Sequence, residues 1–222
     1  MFVGALSSWT KADELERFAS KVTEKGVLLQ SCVGFIDGTM RVTYRPSENQ
    51  KSAYSGYKRA HGLKFQSVML PNGIIGDLYG PVEGCRHDAA MLRESGLLQR
   101  LQQNFDLPDG STYQLFGDPA YPMSPYLLSP YGGATKTEDQ EAWNKEMSRV
   151  RQSVEWGFGN IVLKFAFLDY KKNLMIYLQP VGVYYIVGVL LVNCHNCLYS
   201  NIISQQFSCD PPILEDYLSK PC

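Results

Sequence analysis

The chain has 222 residues with a formal net charge of −1, and 45% of the residues are hydrophobic while 19% are charged. This composition excludes a disordered chain, and it excludes a protein that binds nucleic acid through an overall basic surface. The six cysteines are scattered, which argues against a small disulfide scaffold and favours a reduced, intracellular protein.

The first half of the chain alternates between helical and strand-like patterns. The predicted elements are a helix over 10–25, a strand over 32–44, a loop over 45–60 and two strands over 63–70 and 73–79. Thr10 and Asp13 resemble a capping box, and Gly26 is suited to end the helix. The two later strands flank Asn72-Gly73, which is typical of a hairpin turn.

The second half continues the alternation and ends in a tail. The predicted elements are a helix over 86–101, a strand over 113–116, a proline-rich loop over 119–138, a helix over 139–160, an apolar helix or strand pair over 161–199, and a poorly ordered tail over 207–222. The most apolar stretch, 180–192, is shorter than the roughly 20 residues of a membrane span. No signal peptide is visible, and we expect no membrane association.

Strands mixed with helices at this spacing predict an α/β fold, a mixed sheet flanked by helices. We divide the chain into a helical segment over 1–30, a main domain over 31–200 and a tail over 201–222. Within the apolar segment, Cys194-His195-Asn196-Cys197 has the spacing of metal ligands. Because no second such pair exists, the pattern favours a buried helix with free thiols over a zinc site.

Three acids stand at positions suited to a metal site. Asp37 lies where Gly38 allows a local break in the first predicted strand, and Asp118 lies just beyond a later strand. The two acids lie side by side if those strands are neighbours. Glu155 lies within a predicted helix, from which its side chain can reach the strand ends. Carboxylates are the ligands that Mg²⁺ and Mn²⁺ prefer, and two such ions promote phosphodiester cleavage. Spacing alone leaves open turn-forming aspartates and a surface ion pair between Glu155 and Arg151.

The residues around each acid carry further information. The informative segments are Gly34–Thr39, Gly84–Asp88 followed by Leu92–Ser95, Phe116–Pro122, Ser129–Tyr131, Asn144–Gly159 and Cys194–Asn196. In this order they resemble the motifs of Harbinger-like transposases, which carry a DDE superfamily endonuclease domain. The resemblance extends from about residue 32 to about residue 200.

The resemblance implies an RNase H-like fold in which Asp37, Asp118 and Glu155 are the catalytic residues and hold two Mg²⁺ or Mn²⁺ ions. It implies DNA as the substrate, cleavage at transposon ends and a location in the nucleus. A Myb-like or other DNA-binding partner protein and a homo-oligomer are compatible with it. His87 and Asp88 are expected to hydrogen-bond to the metal ligands and so fix their orientation, or to cap the following helix.

A basic segment follows Asp37, with a single acid, Glu48, between residues 41 and 64. Basic side chains neutralise phosphates and tyrosine rings stack on bases, although an ordinary solvated loop has the same composition. The candidate DNA contacts are Arg41, Arg45, Lys58, Arg59, Lys64, Arg149 and Arg151. The last two have an alternative in simple ion pairs with Glu146 and Glu155.

Two departures from the family pattern support a second hypothesis. Family members carry a helical DNA-binding region ahead of the first Asp, whereas here only a short segment precedes Asp37, as in a truncated copy or a gene-model fragment. The segment 160–167 is also less basic than usual, which predicts weaker DNA binding. The alternative to an endonuclease is therefore a catalytically inactive, transposase-derived remnant that acts as a DNA- or protein-binding module.

Overall fold

The computed structural model describes residues 11–27 and 29–219, which form an open mixed sheet with helices on both faces. The helices are α1 (Ala12–Thr23), α2 (Gln50–Ala53), α3 (Asp88–Ser95), α4 (Leu97–Gln102), α5 (Glu138–Lys164), α6 (Val181–Leu198), α7 (Ile202–Phe207) and α8 (Leu214–Ser219). The strands are β1 (Cys32–Val42), β2 (Tyr54–Ser55), β3 (Ala60–Met69), β4 (Ile75–Glu83), β5 (Gln114–Phe116) and β6 (Leu127–Leu128).

The sheet has the order β4–β3–β1–β5–β6, and the short β2 pairs with the start of β3. Strands β1, β3 and β4 are antiparallel neighbours, whereas β5 runs parallel to both β1 and β6. This α/β arrangement agrees with the expected RNase H-like mixed sheet. Side chains alternate between its faces, so Phe65 packs on Tyr185 of α6 while Gln66 bonds Ser95 of α3 on the opposite face.

The predicted hairpin is confirmed, because β3 and β4 pair with Met69 opposite Ile75. The single helix predicted over 86–101 is wrong. Gly96 has φ +64° and separates α3 from α4, since a left-handed residue cannot continue a right-handed helix. The loops predicted over 45–60 and 119–138 also contain short elements, α2 with β2 and β6 respectively.

The two longest amphipathic helices differ in how they begin. The predicted cap at Thr10 lies outside the described residues, and α1 begins at Ala12 after Lys11, which makes no side-chain capping bond. Helix α5 begins with a capping box between Thr137 and Gln140 and continues to Lys164, beyond the predicted end at 160. Its length allows it to cross the face of the sheet.

The prediction of a poorly ordered tail is wrong for residues 207–219. Phe207 is fully buried, and its ring stacks on Phe35 of β1 with 5.9 Å between the ring centroids. Cys209 is also buried, and α8 follows it. Prolines and polar residues separate these apolar side chains, so no periodic pattern indicated that they pack on the sheet.

The apolar segment predicted over 161–199 contains the end of α5, two short 3-10 helices (Ala166–Asp169 and Lys171–Asn173) and the helix α6, and not a strand pair. Within the described ranges 11–27 and 29–219, α6 is the one helix whose length and mean hydropathy of 1.6 would allow it to cross a membrane. Half of it is buried, and Asn193 and Asn196 bond the backbone of Ile75 and Gly73. These contacts are those of a core helix, which agrees with the sequence prediction of a buried helix over this segment.

Asn193→Ala is expected to lower the free energy of unfolding by roughly 2–4 kcal/mol, because the variant leaves two buried backbone groups unsatisfied. The amide of Asn193 accepts from the Ile75 N–H and donates to the Ile75 carbonyl, both at 2.9 Å. Urea unfolding followed by circular dichroism measures the change. Leu191→Ala on the exposed side of the same helix is the control, and equal losses for both variants would contradict the assignment.

Candidate active site

The pairing of β1 with β5 places two of the predicted acids side by side. Phe35 lies opposite Phe116 in these parallel strands, so Asp37 and Asp118, each two residues further, meet at one edge of the sheet. Asp37 Oδ1 accepts a hydrogen bond from the Gly38 N–H at 2.8 Å. Asp118 Oδ1 accepts one from the Ala120 N–H at 3.0 Å. Backbone donors therefore fix the orientation of both carboxylates.

Helix α5 brings Arg151 and Glu155 to the same edge. Its buried residues, including Val150 and Val154, pack against the sheet. Arg151 and Glu155, which follow them in the helix, line the same pocket as the two aspartates. Arg151 Nη1 lies 3.3 Å from Asp37 Oδ2, and Nη2 lies 3.5 Å from Glu155 Oε1. The ion pair considered as the ordinary role of Glu155 is present. The same guanidinium also bridges to Asp37.

A fourth acid, Asp88, joins the group as the first residue of α3. A Cβ atom at Gly38 would lie 2.8 Å from Asp88 Oδ1, so the missing side chain allows α3 to approach β1 this closely. Lys64 Nζ lies 3.2 Å from the same oxygen and donates to the Arg86 carbonyl at 2.7 Å. His87 is exposed at the N-cap position and makes no side-chain capping bond.

These groups surround one pocket of about 270 Å³. Its charged lining residues are Asp37, Asp88, Asp118, Glu155, Lys58, Lys64 and Arg151. All three predicted catalytic acids therefore line one cavity, together with Asp88. Three of the predicted DNA-contact residues line it as well.

The acids carry more negative charge than their surroundings neutralise. Burial, followed by the nearby Asp118 and Asp88, raises the pKa of Asp37 to about 6, although Arg151 and the Gly38 N–H oppose the shift. Burial also raises the pKa of Asp118, and Asp88 adds to this shift. These shifts show that burial and mutual repulsion disfavour the charged form of both carboxylates, which a further cation would offset.

Tyr121 lies beneath this group of acids. Burial and the three aspartates raise the pKa of its phenol well above 10. Its buried hydroxyl has no hydrogen-bond partner among the described residues. The phenol is therefore neutral, and it lies close enough to the three aspartates for their charge to act on it.

The donor set fits a hard divalent cation in its chemistry, since every candidate ligand is a carboxylate. Within residues 11–27 and 29–219, no three Asp, Glu, His or Cys side chains are close enough, as placed, to hold an ion together. Arg151 lies between Asp37 and Glu155 and supplies the positive charge there. A metal ion ligated by both acids therefore requires the guanidinium to turn away.

The remaining DNA-contact candidates lie outside the acid pocket. Arg45 and Arg59 line a second pocket of about 330 Å³ together with Lys171 and Lys172. Arg149 donates to the Lys25 carbonyl and pairs with Glu146, which is its alternative role from the sequence.

The prediction for Arg41 does not agree with its environment. Its side chain is only 12% exposed, it donates to the Thr39 hydroxyl at 2.7 Å, and its guanidinium lies over the Tyr185 ring at 5.2 Å. A guanidinium committed to interior contacts is poorly placed to meet a phosphate. Arg41 therefore belongs to the packing of β1 against α6.

Sequence reasoning missed several residues of these sites. The contact between Arg151 and Asp37 joins residues 114 positions apart, so no local pattern indicates it. Tyr121 lies within the Asp118 motif, yet its burial depends on the sheet. The adjacent Lys171-Lys172 was a visible signal, because two cations interrupt an otherwise apolar segment. Cys194 and Cys197 are free of disulfide bonds and lie on α6.

The mixed sheet, with Asp37 within β1 and Asp118 just beyond the parallel β5, indicates the class of protein. The model of a family described as DDE superfamily endonuclease matches residues 36–193, a span that includes Asp37, Asp118 and Glu155. The match covers more than half of the chain, and the chain belongs to this family. Endonucleases of this superfamily generally use divalent metal ions and act on DNA.

A relative agrees with this assignment. Protein ALP1-like of Arabidopsis thaliana is 24% identical over 165 residues, which are 69% of this chain and 40% of that protein. The chain thus spans less than half the length of this curated relative. No solved structure matches the chain significantly.

Proposed function

We propose that the chain is the divalent-metal-dependent DNA endonuclease domain of a Harbinger-like transposase, hydrolysing phosphodiester bonds by a two-metal mechanism. The observation that carries this proposal is the meeting of Asp37, Asp118 and Glu155 at one pocket, from two parallel strands and the helix that crosses them. Asp37, Asp118 and Glu155 would hold the Mg²⁺ or Mn²⁺ ions.

The ions supply an activated water and stabilise the leaving oxygen. The protein's own contribution is to fix the carboxylates and the DNA. The Gly38 and Ala120 N–H groups orient Asp37 and Asp118. Lys58, Lys64 and Arg151 line the same pocket and offer positive charge to the phosphates on either side of the cleaved bond. Asp88 holds Lys64 in place.

DNA, a nuclear location and a separate DNA-binding protein of the Myb-like type complete the proposal. The formal net charge of −1 supports a partner that contributes affinity, because the chain lacks an overall basic surface. Assembly into a homo-oligomer is compatible with cleavage at two transposon ends. These elements rest on the family resemblance.

One observation favours the alternative of an inactive binding module. The guanidinium of Arg151 already pairs with both Asp37 and Glu155, so these two acids have a structural role that needs no metal ion. In this case DNA or protein binding uses the basic side chains alone. The two proposals differ in whether the acid pocket binds a divalent ion.

A thermal shift with Mn²⁺ separates the two proposals. A ligand at a hundred times its dissociation constant stabilises the folded chain by about 2.7 kcal/mol, so the wild-type melting temperature is expected to rise clearly. Asp37→Asn is expected to lose most of this shift, measured against its own metal-free melting temperature. Asp139→Asn, at an exposed position of α5, is the control and keeps the wild-type shift. Equal shifts in wild type and Asp37→Asn contradict the metal site.

A further inference from the structure

Another cavity, distinct from the pocket of Arg45 and Arg59, adjoins the acid pocket and shares Glu155 with it. It has a volume of about 390 Å³ and lies between α5, the end of α6 and the start of α7. Its size falls within the range of about 300–1,000 Å³ typical of small-ligand pockets. A DNA duplex is far too wide to enter it, whereas one base turned out of the duplex is not.

The lining of this cavity combines a flat ring, a cation and amide groups. Trp156 follows Glu155 directly, and Lys164 lies two turns further along α5. Asn160 and Asn196 place amides on the wall, where Asn160 Nδ2 is 3.4 Å from Asn196 Oδ1. Glu155, at the boundary with the acid pocket, is the one carboxylate among the described lining residues. An aromatic face with a nearby cation suits a nucleotide.

His195 also lines this cavity, beside Lys164. Lys164 Nζ lies 3.1 Å from His195 Nε2, and burial together with this ammonium group lowers the pKa of His195. The ring is therefore neutral at pH 7, Nε2 accepts from Lys164, and the ring proton is on Nδ1.

We propose that this cavity holds one unpaired nucleobase of the DNA strand, next to the phosphate that is cleaved in the acid pocket. The base stacks on Trp156, and Lys164 binds the adjoining phosphate. The inference rests on the proposed endonuclease function and deepens it, since it assigns the substrate as DNA with a displaced base at the cleavage point. Continuity through Glu155 places the base and the cleaved bond on neighbouring nucleotides.

Fluorescence anisotropy without divalent ions tests the assignment. The probes are a short labelled duplex and the same duplex with one bulged adenine. Wild type is expected to bind the bulged DNA more tightly. Loss of base stacking weakens binding roughly five- to hundred-fold, so Trp156→Ala loses the preference while its affinity for the paired duplex is unchanged. Trp156→Phe, which keeps a flat ring, retains most of the preference. Leu191→Ala, at an exposed position of α6 outside the lining of this cavity, is the control.

The outcomes separate the two levels of the proposal. Equal preference for bulged DNA in wild type and Trp156→Ala overturns the base pocket alone. A parallel loss for both probes, in Trp156→Ala and in Trp156→Phe, assigns Trp156 a structural role and also overturns it. Absence of binding to either probe by wild type overturns the proposed action on DNA, and the base pocket with it.

Discussion

Asp118→Asn is expected to abolish Mn²⁺-dependent nicking of supercoiled plasmid DNA. Groups that only support a metal ligand cost about 10–100-fold when replaced, so removal of a ligand is expected to exceed the upper end of this range. The substitution preserves the fold, because the Asn side-chain oxygen can still accept from the Ala120 N–H that Asp118 binds at 3.0 Å. The change therefore removes a negative charge and a hard ligand with little effect on packing.

The measurement is the initial rate of conversion from supercoiled to open-circular plasmid over a range of Mn²⁺ concentrations. Asp139→Asn makes the same chemical change at an exposed position in the first turn of α5 and should cleave at the wild-type rate. Nicking by Asp118→Asn within a few-fold of wild type would remove Asp118 from the proposed site. An inactive wild type with a normal fold would favour the binding-module alternative.

Asp37→Asn is expected to stabilise the metal-free protein at pH 7 by about 1–2 kcal/mol. Burial raises the pKa of Asp37 from 3.8 to about 6, so between these values the folded chain retains a proton that the unfolded chain has released. The free energy of unfolding consequently falls as the pH rises through this window. One pKa unit corresponds to about 1.4 kcal/mol of stability. The attraction between Asp37 and Arg151 offsets part of the destabilisation that burial causes in the wild type, so Asp37→Asn gains less than burial alone would give.

Urea unfolding in EDTA at several pH values between 4 and 7 measures the effect. Wild type should lose stability across this interval more steeply than Asp37→Asn. Part of the slope should remain in both proteins, because Asp77 has a pKa of about 6 for the same reason, burial opposed by Arg100. Saturating Mn²⁺ should reverse the ranking at pH 7. Identical pH profiles for the two proteins would show that burial does not raise the pKa of Asp37.

Local sequence signals predicted the elements that depend on neighbouring residues. Asn72-Gly73 forms its turn because of the backbone preferences of these two residues. The apolar residues of β1 predict a buried strand from their own sequence pattern. The side-by-side placement of Asp37 and Asp118 was conditional, because it requires β5 to pair with β1 across an intervening hairpin and three helices. The motif around each acid supplied what spacing could not.

The features that the sequence did not predict depend on contacts between distant segments. The left-handed turn at Gly96 was hidden within a helical pattern, and Phe207 becomes a core residue only once α7 lies against β1. The inward turn of Arg41 has the same origin, since the Tyr185 ring beneath it is contributed by a helix far along the chain. Charge counts along a loop cannot distinguish such a side chain from an exposed one.

The bridge from Arg151 to Asp37 and Glu155 makes the two ligands of the proposed enzyme thermodynamically coupled. A DNA phosphate that draws the guanidinium towards itself frees both carboxylates and so raises the affinity of the acids for a divalent ion. Linkage requires that the ion raises the affinity for DNA by the same factor. A single arginine thus makes metal and DNA binding positively cooperative, and it disfavours a metal-loaded site in the absence of DNA.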